Sequence, residues 1–309
     1  MNILYLEPLT KAWARMKLTL FRPFDFAKWL AIGFCAWLAG LLNGGGGGTG
    51  WRMPKGHPPT PWLTWPRELW HRLTEHAWVV PVLAVVAVVA IALVLLLLWL
   101  SSRGKFMFLD NVVHNRAFVA DPWRRFRHLG NSLFFWRLGF FVVGLAAALA
   151  LGGLVVLAAG GFSGFGFSSA RGTVMTILAA LLVLVFTLAV AYVSLFLDSF
   201  VVPIMYRSNL TATAAWAAFL PWMERCFGSL FLYGLFVLAF WVVVALCVIT
   251  AGLFTCCVFF LLLIIPYVGT VILLPVLVTY RAFSLEFLAQ LDPGFEVFAS
   301  TGEATIPES

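Results

Sequence analysis

Long stretches without any charged side chain constrain the fold of this chain more than any other feature. A helix needs about 20 mostly apolar residues to cross the hydrocarbon core of a bilayer. A charged side chain at the centre of such a helix costs roughly 2.5–3.5 kcal/mol on insertion scales. Asp, Glu, Lys and Arg are absent from the intervals 29–51, 76–102, 138–170, 172–197 and 226–280. The last interval is long enough for two passes, so the sequence predicts an all-α integral membrane protein.

The overall composition agrees with this class and excludes two others. The chain is 62% hydrophobic and 11% charged, whereas soluble domains are about 25% charged. A water-soluble domain is therefore excluded. The net charge of +7 could indicate nucleic-acid binding, but the basic residues cluster on particular loops, as membrane topology requires. We therefore expect no nucleic-acid partner.

Six transmembrane helices fit the apolar intervals. The first has only 14 residues, which rise about 21 Å along a helix, so it must recruit flanking residues, sit in a thinned region of the membrane or enter only partway. The last two are separated only by Thr250-Ala251-Gly252, which makes them antiparallel neighbours. The predicted spans are Trp29–Leu42, Trp78–Leu100, Phe134–Ala159, Val174–Leu197, Phe227–Ile249 and Phe254–Tyr280.

The distribution of basic residues predicts the orientation. With six spans, 15 of the 20 Lys and Arg residues fall on the side that holds both chain ends. Because loops facing the cytoplasm are enriched in Lys and Arg, the N- and C-termini are predicted to be cytoplasmic.

Similar segments recur along the chain and suggest a repeat. The segment Phe108–Val113 resembles Phe196–Val202, and the acids Asp110, Asp198 and Glu286 are each 88 residues apart. The single transmembrane domain 1–309 is predicted to hold three hairpin units, each preceded by an interfacial amphipathic helix. Chance spacing, or duplication of a stable hairpin, is the alternative. The predicted parts are an interfacial helix at 1–28, units at 29–100, 101–197 and 198–288, and a flexible tail at 289–309.

Two amphipathic segments carry cations suited to a lipid surface. In the first, Leu9, Trp13, Met16 and Leu20 share one helical face. The second begins at Asp121-Pro122, a pair typical of a helix start. Cations near anionic headgroups contribute about 1 kcal/mol each, so anionic membrane lipids are predicted partners, with plain anchoring as the alternative to specific recognition. The predicted headgroup contacts are Lys11, Arg15, Lys17, Arg22, Arg124, Arg125 and Arg127.

Tryptophans accumulate where the chain is expected to meet the membrane surface. The predicted outer loop 43–77 opens with five glycines and then carries four tryptophans. Tryptophan belts mark membrane interfaces, while a glycine run is typical of a flexible linker; a lid over a cavity is the alternative. The predicted interfacial aromatics are Trp13, Trp29, Trp51, Trp62, Trp65, Trp70 and Trp123.

No pattern of residues indicates catalysis. The five histidines lie outside the predicted spans, and neither a hydrolase elbow nor zinc-ligand spacing occurs. We therefore expect no enzymatic activity, no metal and no cofactor. Asp110, Asp198 and Glu286 could form a symmetric gate, or they could be helix-end acids paired with Arg103, Arg207 or Arg281.

The segment Phe21–Leu30 contains Pro23-Phe24-Asp25 and Trp29-Leu30, and an apolar stretch and glycines follow it. This arrangement resembles the opening of an uncharacterised family of prokaryotic multi-pass membrane proteins. More remotely, the layout is similar to the membrane region attached to some bacterial glycerophosphodiester phosphodiesterases, whose catalytic barrel has no counterpart here. The resemblance implies a location in the prokaryotic inner membrane and implies no known site.

The function expected from these observations is structural. Uncharged spans and small-residue segments such as Ala146–Ala148 with Gly152-Gly153 suit packing against helices of other subunits or of a second copy. A non-enzymatic subunit or scaffold of a membrane complex is the first hypothesis. The alternative is a carrier, channel or lipid-handling protein for apolar or amphipathic cargo, because internal repeats are common in transporters.

Overall fold

The computed structural model describes residues 4–22, 24–41, 78–161, 169–255 and 258–298. All regular structure in these residues is helical. The helices are α1 Leu6–Phe21, α2 Phe26–Gly40, α3 Val79–His114, α4 Ala120–Arg125, α5 Arg127–Ala158, α6 Ala170–Phe196, a π-helical turn Leu197–Val201, α7 Val202–Ser208, α8 Ala212–Arg225, α9 Phe227–Phe254, α10 Val258–Ile264, α11 Pro266–Ile272, α12 Leu274–Leu291 and a 3-10 turn Pro293–Phe295.

Four of these elements are long and apolar enough to span a membrane: α3, α5, α9 and the continuous run from α6 through α7. The all-α membrane class predicted from the sequence agrees with this result. The predicted total of six spans is not confirmed beyond these four. Helix α2 is apolar but has 15 residues, which rise only about 22 Å, so by length it falls short of a full crossing.

The predicted sixth span is not one helix. The structure divides the interval 254–280 among the end of α9 and the helices α10, α11 and α12. Pro266 lies in the first turn of α11 and Pro275 in the first turn of α12. Proline lacks a backbone N–H and is tolerated in the first turn of a helix but not in its interior. The two prolines therefore account for separate short helices where hydropathy alone predicts one span.

Two spans run well past their predicted ends. Helix α3 continues to His114 rather than Leu100, and the run from α6 continues through the π-helical turn to Ser208. Both end at an asparagine with φ of 52°, Asn115 and Asn209, a conformation that commonly terminates helices. The additional turns carry the buried polar side chains described below.

The packing core lies at one end of the spans. We call it the basic end, because it holds Arg103, Arg124, Arg127 and Arg281. The largest buried side chains there include Phe106, Phe200, Phe219, Tyr233 and Phe287. In contrast, the most apolar 18-residue windows of α3, α5 and α6 have no buried residue, and that of α9 is 17% buried. The chain thus folds as a packed core from which largely separate apolar helices extend.

The segment that resembles a family opening has a clear structural role. Asp25 Oδ1 accepts hydrogen bonds from the backbone N–H groups of Ala27 at 2.9 Å and Lys28 at 3.4 Å, so it caps the N-terminus of α2. Trp29 Nε1 donates to the backbone oxygen of Val271 at 3.1 Å. The two side chains therefore fix where α2 begins and attach it to α11.

Candidate functional site

Asp198 lies in the π-helical turn and faces cations from three other helices. Lys105 Nζ, from α3, donates to Asp198 Oδ1. Arg281, from α12, donates to the backbone oxygen of Asp198. Arg137, from α5, adds a third positive charge that acts on the carboxylate. We call these four residues the Asp198 cluster. Single π-helical turns inside α-helices are frequent at functional sites.

The Asp198 cluster holds more positive than negative charge in a place with little solvent. The side chain of Lys105 is 7% exposed and that of Asp198 is 23% exposed. Hydroxyl groups supply further hydrogen bonds: Arg137 Nη1 donates to Ser101 Oγ at 3.3 Å and to Ser102 Oγ at 3.4 Å. Removing charges from water costs several kcal/mol per ion unless they are well paired. The cluster therefore links α3, α5, α12 and the π-helical turn, and the Asp198 carboxylate offsets the positive charges that meet there.

The other two predicted gate acids have partners of their own. Asp110 Oδ1 accepts a hydrogen bond from Tyr206 Oη at 2.7 Å, and His114 Nδ1 lies 3.3 Å from it. Glu286 Oε1 accepts one from Arg15 Nε at 2.8 Å. The three acids thus engage separate partners. Of the three predicted arginines, Arg281 contacts one of these acids, through the backbone oxygen of Asp198. A common gate remains a hypothesis.

The predicted headgroup cations of α1 differ in their surroundings. Lys11 pairs with Glu7 at 2.9 Å, and this hydrogen bond raises the pKa of the Lys11 ammonium above its ordinary value. Lys17 and Arg22 are exposed. Arg15 also contacts the protein: besides its bond to Glu286, its guanidinium carbon is 3.6 Å from the ring centroid of Phe298. These contacts attach α1 to α12, and the headgroup contact of Arg15 stays a prediction.

The predicted cations of the second segment form part of a cleft. Arg124 and Arg127 line it together with Trp123 and Arg103, and its volume is about 590 Å³. We call it the arginine cleft. Arg125 is exposed but does not line it; its guanidinium carbon lies 5.4 Å from the ring centroid of Phe126. The break between α4 and α5 at Phe126 places Arg124 and Arg127 at the same opening.

Arg103 forms the back of the arginine cleft and is 7% exposed. Its guanidinium carbon lies 4.1 Å from the ring centroid of Trp99 and 4.9 Å from that of Trp123. Its Nη2 donates to Asn131 Oδ1 at 3.2 Å. A β-carbon on Gly130 would lie 2.7 Å from Arg103 Cγ, so the glycine makes room for this side chain.

The predicted interfacial aromatics divide into three groups. Trp13 is 50% exposed and suits a surface position. Trp29 and Trp123 are partly buried, in the contacts described above. Trp51, Trp62, Trp65 and Trp70, together with the glycine run and the proposed lid, lie outside the described residues.

The sequence analysis does not predict the contacts of Arg103 and Lys105, because both lie beyond Leu100, where the predicted second span ends. A signal for Lys105 was present. Lys105 and Arg281 each stand five residues before one of the equally spaced acids, Asp110 and Glu286, and in the structure both contact the third acid, Asp198. For metal sites, no group of three or more His, Cys, Asp or Glu side chains suited to an ion occurs within the described parts of the chain.

Comparison with known proteins places the chain at the level of a family. No curated protein and no solved structure matches it. The sequence model of one family matches residues 5–291, a range that includes α1 to α12 and both sites. The match agrees with membership of an uncharacterised family and does not bear on the opening motif or on the phosphodiesterase resemblance. The chain belongs to DUF7544, a family of unknown function.

Proposed function

We propose that this protein is a non-enzymatic structural subunit of a complex in the prokaryotic cytoplasmic membrane and that it assembles through α5. In this proposal the six-pass arrangement holds, with both termini in the cytoplasm, and α2 and the α10–α11 region complete the crossings despite their short helices. The basic end then faces the cytoplasm, as the bias of Lys and Arg favours. The partner is a second copy of the chain or another membrane subunit.

One observation carries this proposal. Gly144, Ala148 and Gly152 are spaced four residues apart and share one face of α5. A β-carbon added at Gly144 or Gly152 would meet no atom of the described residues within 4 Å. Rows of small residues let transmembrane helices approach closely, which is how such helices associate in lipid. At the two glycines this row therefore leaves room for another helix that no described part of the chain fills.

The exposure of the spans supports a subunit more than a carrier. A carrier needs helices that surround a cargo site, usually near the middle of the membrane. In the described residues the central parts of α3, α5 and α6 are not buried against one another. The resemblance to a membrane region attached to a separate catalytic barrel also fits an accessory role.

Replacing both Gly144 and Gly152 with leucine is expected to abolish association while leaving the fold intact. The leucines have space within the chain, and leucine favours helix by about 1 kcal/mol over glycine, but their side chains would keep a partner helix away. The mass of the complex, purified in mild detergent and measured by native mass spectrometry, should fall from that of an assembly to that of one chain.

Gly139→Leu is the matched control. Gly139 also faces open space but lies five residues before Gly144, about 140° around the helix axis. The assembly should survive this change. A wild-type protein that is monomeric in native membranes, or a double variant that assembles normally, would refute the proposed role of α5.

A further inference from the structure

We infer that the arginine cleft binds the phosphate group of an anionic phospholipid. This inference goes beyond the proposed assembly role and concerns a different surface, formed by α3, α4 and the start of α5. The first support is charge. Three of the four lining residues, Arg103, Arg124 and Arg127, are cationic and the fourth is Trp123. No carboxylate among the described residues forms a salt bridge with these arginines.

The second support is the state of Arg103. Its side chain is almost removed from water, yet it is held by two tryptophan rings and an asparagine rather than by an anion. Its Nε is buried and has no hydrogen-bond partner in the described part of the chain. A buried charge is stable only when it is paired. A ligand anion at the cleft would supply the counter-charge that the described residues do not.

The third support is position along the helices. The apolar run of α3 ends at Leu100, and Arg103 follows within one turn; Arg127 is the first residue of α5 and precedes the apolar part of that helix. A side chain at that height lies where the hydrocarbon core gives way to headgroups. Trp99 and Trp123 add the amphipathic rings that are typical of this layer.

The chemistry of the lining selects phosphate. Guanidinium groups are planar forks that donate two parallel hydrogen bonds to phosphate oxygens. Arg124 and Arg127 are exposed and free to close on a headgroup, while the stacked Arg103 is already oriented. A zwitterionic headgroup offers the same phosphate but adds a positive charge that three arginines repel, so the cleft favours an anionic lipid.

The test measures lipid retention by the full-length protein in native mass spectrometry, with phosphatidylglycerol and phosphatidylcholine as probes. The wild type is expected to retain phosphatidylglycerol in preference to phosphatidylcholine. In the double variant Arg124→Gln/Arg127→Gln, phosphatidylglycerol retention should fall roughly thirtyfold, because two cations that each contribute about 1 kcal/mol near the phosphate are removed. Both arginines are exposed, so the variant keeps the packing around Arg103.

Arg125→Gln is the matched control, since it removes one exposed charge beside the cleft without changing its lining; phosphatidylglycerol retention should stay within twofold of wild type. Arg103→Lys keeps the positive charge but removes the planar guanidinium group that can donate two parallel hydrogen bonds, so phosphatidylglycerol retention should also fall. Inorganic phosphate forms the second arm. If millimolar phosphate occupies the cleft while phosphatidylglycerol does not, a free phosphate ligand replaces the lipid. Equal retention of the two lipids, or unchanged retention in the double variant, would overturn the inference.

Discussion

Asp198→Asn is expected to destabilise the protein by about 3–5 kcal/mol, the usual cost of leaving a buried charge without its partner. Asparagine keeps the size of the side chain but removes the carboxylate that Lys105 contacts. Lys105, Arg137 and Arg281 would then face one another with no anion from the cluster. The thermal unfolding midpoint in detergent, followed by tryptophan fluorescence, should fall more than for any other single neutralisation of the three acids.

Two further variants test whether the loss of stability comes from unpaired cations in the Asp198 cluster or from the removal of any charge. Lys105→Met should lower the free energy of unfolding by less than Asp198→Asn. In the Lys105 variant the Asp198 carboxylate still interacts with the positive charges of Arg137 and Arg281, and the cluster holds one cation fewer. Glu286→Gln should lower the free energy of unfolding by less than Asp198→Asn, because its partner Arg15 is 41% exposed and can be solvated by water when the Glu286 carboxylate, itself 15% exposed, is removed. If neutralising Asp110, Asp198 or Glu286 lowers the stability by equal amounts, Asp198 is not the main charge partner in the core, and a symmetric gate is favoured.

The membrane class and the positions of most spans could be predicted from the sequence, because the cost of charge in lipid acts locally along the chain. The second span shows this: it was predicted to begin at Trp78, and α3 begins at Val79. Its other end could not be predicted. Hydropathy ends the span at Leu100, yet the helix continues because Arg103, Lys105 and Asp110 are accommodated by contacts with distant helices.

The candidate sites depend on such distant contacts, which local patterns do not record. Equal spacing singled out Asp198, but its partner Lys105 lies 93 residues away on another helix. In the same way, the basic segment around Arg124 predicts a headgroup contact from its own residues. Arg103 joins this site only because α3 packs beside α4, and a local sequence pattern does not show that packing. Prediction from one sequence therefore found the residues that stand together in one segment, such as Trp123, Arg124 and Arg127, and missed the residue that a distant helix contributes.

The second large effect is expected at Gly104, where α3 packs tightly against α2. A β-carbon at this position would lie 2.6 Å from the backbone nitrogen of Ala39 and 2.7 Å from the backbone carbon of Leu38. Backbone atoms cannot move aside as a flexible side chain can, so Gly104→Ala must push the helices apart. Overpacking of this kind costs about 1–3 kcal/mol, and it outweighs the gain of up to about 1 kcal/mol from higher helix propensity.

Gly139→Ala is the matched control, because it makes the same change within a span where a β-carbon meets no described atom. Its unfolding midpoint should stay level or rise. Displacing α2 also moves Trp29, which attaches α2 to α11, so Gly104→Ala should expose the Trp29 ring and shift tryptophan emission to longer wavelength. Unchanged stability and emission in Gly104→Ala would mean that α2 does not pack against α3 at this point, and the arrangement of the basic end would need revision.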